Sequence, residues 1–346
     1  MKPTKSSSPS SAEETLSSAV RPRLEPILLT GLVMLTIVVA LVGRYPRPGF
    51  MSPALLWTDP LALRLVVDLR LPRILAAALV GMGLGTAGVV LQTLFGNPLV
   101  EPGLIGVSQG SAFGAAVALV AFAPPLWVVQ LASAATGGLG LLMSYRIARR
   151  FRFGGWILRL VLAGIAVSAL FSAGVGIVKF VADPVGQLPA ITFWLLGGLA
   201  ATDWWRLAQV APLVAAATAY AWTRRWRLNL LALEDRVSFS LGASPGRERL
   251  ALLVAATVAT ASLVALSGIV GWVGLLVPHA ARRLVGADTA RALPVAALLG
   301  GVFVLASDTV ARIVIVGEIP LGVVTSLVGA GGFIVLLLRN QVRVVR

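Results

Sequence analysis

The chain has 346 residues, 58% of them hydrophobic and 12% charged, with a mean hydropathy of +0.91 and a formal net charge of +15. Soluble domains carry about 25% charged residues, so a water-soluble globular chain is excluded. No Cys and a single His are present, which excludes disulfides, thiolate metal centres and a histidine-rich metal site.

Residues 1–23 are polar and Ser-rich and read as a disordered cytoplasmic tail. The apolar run 24–42 is long for the core of a cleaved signal and lacks a small-x-small site, so it reads as an uncleaved first helix. Continuous apolar runs near the roughly 20 residues needed to span a bilayer must be helical there, because unpaired backbone groups are too costly in lipid. The expected fold is therefore an all-α polytopic membrane protein, residues 24–346 forming one transmembrane domain. Ten helices are expected, at 24–42, 71–94, 103–122, 126–147, 157–181, 205–222, 250–266, 270–284, 293–315 and 321–338. Pro72 stands in the first turn of the second, where proline is tolerated. The apolar segment 191–200 is too short to cross and reads as re-entrant or interfacial.

Most Lys and Arg lie between the apolar runs, where they act as topology determinants facing anionic lipid rather than as a nucleic-acid surface. A cytoplasmic N-terminus places Arg146, Arg149, Arg150, Arg152, Arg224, Arg225, Arg227, Arg236, Arg282 and Arg283 inside, and both termini are then cytoplasmic. Trp205 and Trp222 are 17 residues apart, about 26 Å along a helix, which suits two bilayer interfaces. Arg70, Arg73 and Arg312 remain on the outer side. Two readings fit them: snorkelling to lipid phosphate, or a docking surface for an acidic partner.

GLGTAG at 83–88 matches GxGxxG but lies inside an apolar run, not between a strand and a helix, so it is not a dinucleotide site. No Walker A sequence is present. Asp308 and Arg312 share a helix face four residues apart, as do Lys179 and Asp183, and each reads as an outer-end pair. Glu101 and Glu318 receive no role. His279, near the cytoplasmic end of its helix, reads as a structural hydrogen-bonding group rather than a ligand for haem or iron.

RLPRILAAALVG, LFGNPLVEPGLIGVSQGSAFGA, ITFWLLGGLA, VGLLVPHAARRLVG and EIPLGVVTSLVGAGGFIVLLLR occur in this order. Over roughly 71–339 the chain resembles the FecCD-type permeases, the membrane subunits of ABC importers for iron–siderophore complexes, haem and cobalamin. The resemblance implies a homodimeric type II importer permease of ten helices per subunit in a bacterial inner membrane. It also implies two ATP-binding-cassette ATPase subunits that use ATP and Mg, a periplasmic substrate-binding protein, and no cofactor or catalytic residue on this chain. It assigns Arg70, Arg73 and Arg312 to binding-protein docking, so that Glu at both 70 and 73 should weaken transport and leave folding intact. Asn97 and Leu99, in the GNPLVEP turn, match a cytoplasmic gate. The small polar pair of a second gate is replaced by Ile157 and Leu158.

The loop 228–250, with Leu230, Leu231, Arg236 and Gly242, matches the segment that couples to the ATPase. Importers often carry EAA-x-x-x-G there; this chain keeps Gly242 but has Arg236, Val237 and Ser238 in place of the first three residues. The expected cargo is a bulky metal chelate, an iron–siderophore complex or haem, with cobalamin as the alternative. An ion-coupled secondary transporter would need mid-helix carboxylates, for which Asp308 is the one fair candidate. A membrane-embedded enzyme would need a clustered acid, base or metal site, and none is evident in the sequence.

Overall fold

A computed structural model describes residues 24–43, 45, 49–122, 125–315 and 317–340. The tail expected at 1–23 lies outside them. Apart from one two-residue antiparallel pair, Val42–Gly43 with Gly49–Phe50 (β1 and β2), the described residues are helices and their connections.

In chain order the helices are α1 (Leu24–Leu41), α2 (Leu55–Thr58), α3 (Pro60–Arg64), α4 (Leu71–Phe95), α5 (Val107–Phe122), α6 (Leu126–Arg150), α7 (Trp156–Val181), α8 (Gln187–Leu196), α9 (Trp204–Thr223), α10 (Arg225–Leu231), α11 (Asp235–Ser240), α12 (Pro245–Ser267), α13 (Val273–Val285), α14 (Thr289–Ile313) and α15 (Leu321–Asn340). Six described helices are long and apolar enough to cross a membrane: α1, the continuous run Pro60–Phe95, α6, α7, α12 and α14. The other four segments of the expected ten, α5, α9, α13 and α15, fall outside that set.

The second expected helix begins earlier than its sequence suggested. Helical backbone runs from Pro60 through a π-turn at Leu65–Arg70 into α4, and the Leu71 N–H bonds back to Val66 O. The wider turn lets the chain pass Pro72, which has no N–H for a regular bond and whose ring would crowd the preceding turn. The segment expected at 191–200 is the helix α8, which stops at Leu196 because Gly197 (φ 73) turns out of helical geometry.

The centre of the bundle is α4 packed along α14 and α12. Windows of α4 and α12 are 78% and 72% buried, against 17% for α1, so α1 is peripheral. Small residues make the central crossing possible. A Cβ on Gly81 would strike the Gly300 carbonyl, and one on Gly300 the Gly81 carbonyl. In lipid, where water drives no helix association, such close backbone approach supplies the packing.

The chain breaks between α12 and α13 inside the bundle, not at its end. Gly268 takes φ 67, and a Cβ there would meet the Trp194 carbonyl at the end of α8. Trp272 follows with φ 71, a left-handed value unusual for a bulky residue. The helix expected from 270 therefore starts at Val273. The Gln92 amide of α4 donates to the Gly274 and Leu275 carbonyls at 3.3 Å each, so α13 begins beside the last turns of α4.

Candidate functional site

Two groups of candidate residues lie at opposite ends of the bundle. At the end where α4 begins and α14 finishes, four charged side chains form one cluster. Arg73 Nε donates to both oxygens of Asp308 at 3.0 and 3.1 Å, and its Nη2 donates to Oδ1 at 2.9 Å. Arg73 Nη1 reaches both oxygens of Glu318 at 3.0 and 2.9 Å. Arg312 Nε lies 3.3 Å from Asp308 Oδ2, so the expected i,i+4 pair is present. Asp308 is fully buried, and the side chains of Arg73 and Arg312 are each 11% exposed.

This arrangement changes the reading of the outer arginines. Arg73 spends its guanidinium on two carboxylates of its own chain and is not displayed. Arg312 is equally buried, and its Nη2 has no hydrogen-bond partner among the described residues. Arg70 is half-buried and donates from Nη1 to the Ala40 carbonyl at 2.9 Å, its guanidinium lying against Gly43. Glu318, which received no role from the sequence, holds a left-handed backbone (φ 60) while it closes the cluster. Intact folding after charge reversal at Arg73 is therefore not expected. Glu at 73 would set a third carboxylate against Asp308 and Glu318 and leave Arg312 alone to balance them. A cavity of about 300 Å³ adjoins the cluster, lined by Arg73, Glu318, Arg206, Phe193 and Trp194 among others.

Lys179 and Asp183 form no ion pair among the described residues. Asp183 instead accepts from the Gly186 N–H at 2.6 Å, in the turn that opens α8. Local backbone donors next in sequence outcompete the lysine one turn back.

At the other end, α4 closes on Gly96 (φ 57) and the chain enters the Asn97 turn. Asn97 Oδ1 accepts from the Leu99 N–H at 2.9 Å, an Asx turn that stiffens the loop. Leu99 is 56% exposed, an apolar side chain standing out from a rigid turn. Ile157 and Leu158 lie in the first turn of α7, Leu158 exposed and Ile157 partly covered. Glu101 follows the Asn97 turn and lines two cavities, of about 340 and 950 Å³, together with Gly271 and Trp272. Burial pushes its carboxyl above the ordinary glutamate range. His279 makes an edge-on contact with Phe333, 6.3 Å between ring centres.

The segment α10–α11 caps the same end. Arg227 bonds Glu248 at 2.6 and 2.8 Å, and Arg249 bonds Asp235 at 2.5 Å and the Leu231 carbonyl at 2.9 Å. Ser238 Oγ donates to the Leu230 carbonyl at 2.6 Å. Gly242 (φ 83) ends the segment, with the Ala243 N–H returning to the Ser238 carbonyl. Of the residues expected to couple, Leu231 is buried and Leu230 half-buried; both anchor the segment to the bundle. Arg236 is exposed. Leu233, Val237, Phe239 and Leu241 are exposed beside it, Phe239 by 72%. Sequence reasoning missed Phe239. Its signal was weak: a single aromatic in a short polar helix.

A model of the FecCD transport family matches residues 28–339. The chain is 36% identical to the molybdate import system permease of Haemophilus influenzae, over 92% of this chain and 97% of that protein. It is 34% identical to the hemin transport system permease of Yersinia pestis, over 92% and 98%. It is 37% identical to the vitamin B12 import system permease of Vibrio cholerae, over 91% and 93%. A solved structure described as an inward-facing metal-chelate type ABC transporter superposes with a TM-score of 0.83 at 36% identity, covering 91% of this chain and 99% of that one.

Proposed function

The chain belongs to the FecCD transport family, and from that membership we propose that it is the multi-pass membrane permease of an ABC importer for metal-chelate-type cargo. ATP and Mg are used on partner ATPase subunits; this chain contributes the path and has no catalytic residues. Two copies enclose that path, each with ten crossings when α5, α9, α13 and α15 are added to the six long helices. The Arg73 end faces the periplasm and receives a substrate-binding protein. The α10–α11 end and both termini face the cytoplasm of a bacterial inner membrane.

The observation that carries this reading is the exposed apolar surface of α11 and the residue that caps it, Val237, Phe239 and Leu241, on a segment tied to the bundle by two arginine–carboxylate pairs. Apolar side chains held rigidly in water at one end of a membrane bundle suit a docking groove on another protein. Arg70 is the outer arginine best placed to meet an acidic partner, with Arg73 and Arg312 shaping the surface behind it. Leu99 from two subunits would close the path by excluding water, with Asn97 holding the turn.

The cargo we favour is a bulky iron–siderophore complex or haem. Cobalamin is the second reading, supported by 37% identity to a vitamin B12 permease. An ion-coupled secondary transporter is disfavoured, because Asp308, its best carboxylate, is already held by Arg73 and Arg312. Reconstitution with a co-encoded P-loop ATPase and a panel of iron, haem, cobalamin and molybdate cargoes tests the proposal. ATP-dependent uptake of a chelate is expected. Nucleotide turnover by the purified chain alone, or uptake driven by an ion gradient without ATP, overturns it.

A further inference from the structure

The junction of α9 and α10 holds a group of side chains that the transport reading does not use. The exposed residues of α9, among them Trp205, Leu213 and Trp222, form a broad stripe that covers about half of the helix. On a membrane helix such a stripe faces lipid, and its terminal tryptophan marks the interface. Beyond Trp222 the chain turns at Arg224, whose φ of −98° and ψ of 4° leave the helical region, and α10 begins. The Arg225 guanidinium lies over the Trp222 ring at 4.6 Å and over the Trp226 ring at 5.9 Å. Arg224 lies over Tyr220 at 5.6 Å. Trp222 and Trp226 are 41% and 62% exposed, so the stacked group stands at the surface.

Neither Arg224 nor Arg225 has a carboxylate within ion-pair distance among the described residues, whereas Arg227, two positions on, is bound to Glu248. A guanidinium stacked on aromatic faces keeps its edge N–H groups free, and that edge matches phosphate oxygens. Two such cations at an aromatic interface fit an anionic headgroup. Their position at the end of a lipid-facing stripe selects a lipid as its source.

We propose that Trp222, Arg224, Arg225 and Trp226 seat the phosphate of an anionic phospholipid, and that the occupied seat braces the α10–α11 segment. The bracing follows from connectivity. Arg225 is the first residue of α10, and Arg227 in the same helix fixes α10 to the start of α12. The seat rests on the membrane reading, and only its effect on coupling rests on the importer function.

The test uses the full-length chain in nanodiscs of phosphatidylcholine with or without phosphatidylglycerol. Native mass spectrometry reads lipid retained after extraction, and thermal unfolding reads stabilisation. Phosphatidylglycerol is expected to be retained and to raise the unfolding midpoint of the wild type. Retention should fall about tenfold in Arg224→Gln with Arg225→Gln, and less in Arg225→Lys, which keeps the charge and loses the stacked fork. Equal phosphatidylglycerol retention by wild type and the double variant overturns the seat. So does an equal thermal shift from inorganic phosphate, which would mean a generic anion site. With the ATPase bound, phosphatidylglycerol should stimulate ATP hydrolysis in the wild type and not in the double variant; stimulation in both overturns the bracing. An ATPase that never associates overturns the importer reading while leaving the retention result to decide the seat.

Discussion

The two ends of the molecule handle polarity in opposite ways. At the Arg73 end, charges are drawn inward and paired within the chain: Asp308 is fully covered and held by two arginines. At the α10–α11 end, charges are spent on anchoring the segment, while apolar side chains such as Phe239 stand in the open. The first arrangement is a structural lock, in which removing one member leaves the others as uncompensated buried charges. The second is an open surface, whose exposed apolar groups contribute little to folding and are available for association. Exposure, more than residue type, separates the residues that hold this protein together from those left open to contact.

The largest effect expected from this contrast is at the lock. Asp308→Ala should lower stability by about 3–5 kcal/mol, as seen when one partner of a buried pair is lost, measured by thermal or denaturant unfolding of the purified protein. A loss under about 1 kcal/mol would show the cluster to be dispensable and erase the difference between the ends. Next is the helix crossing beneath it. Gly300→Val forces α14 away from α4 and should lower stability by about 1–3 kcal/mol; an unchanged melting midpoint would mean that the crossing tolerates a side chain.

At the open end the sign of the experiment reverses. Phe239→Ala should leave stability within about 0.5 kcal/mol, yet weaken binding of the partner ATPase about tenfold or more in a titration of the reconstituted complex. Loss of stability with binding intact would make Phe239 a packing residue. The smallest effect concerns Glu101. Burial raises its folded pKa, so the folded state holds its proton more tightly than the unfolded one. That contribution is present below the ordinary glutamate pKa and is lost as pH rises through the raised value. Glu101→Gln should flatten this decline in a pH series of melting curves; an identical slope in both proteins would argue against burial of the carboxylate.

Much of the fold was legible in the sequence because lipid allows so few solutions. Each apolar run of sufficient length had to be a helix, and the bounds at 24 and 126 and the ends at 122 and 181 agree with α1, α6, α5 and α7. What was not legible depended on geometry between helices. Nothing local to Pro72 announces a π-turn upstream, and nothing in SGIVGW reveals that α12 and α13 break within the bundle. Asp308 and Arg312 could be paired by spacing alone. Arg73, 235 residues away from Asp308, could not.

Periodicity, hydropathy and a handful of long motifs were enough to establish a helical membrane transporter of the FecCD family, since those properties are carried by stretches of neighbouring residues. Tertiary packing alone decided what each charged side chain is for. A guanidinium has the same sequence signature whether it is stacked on tryptophan at the surface, as at Arg225, or closed in by two carboxylates, as at Arg73. Only the neighbours brought in from distant helices set its solvation, and solvation is what separates a lock from a contact.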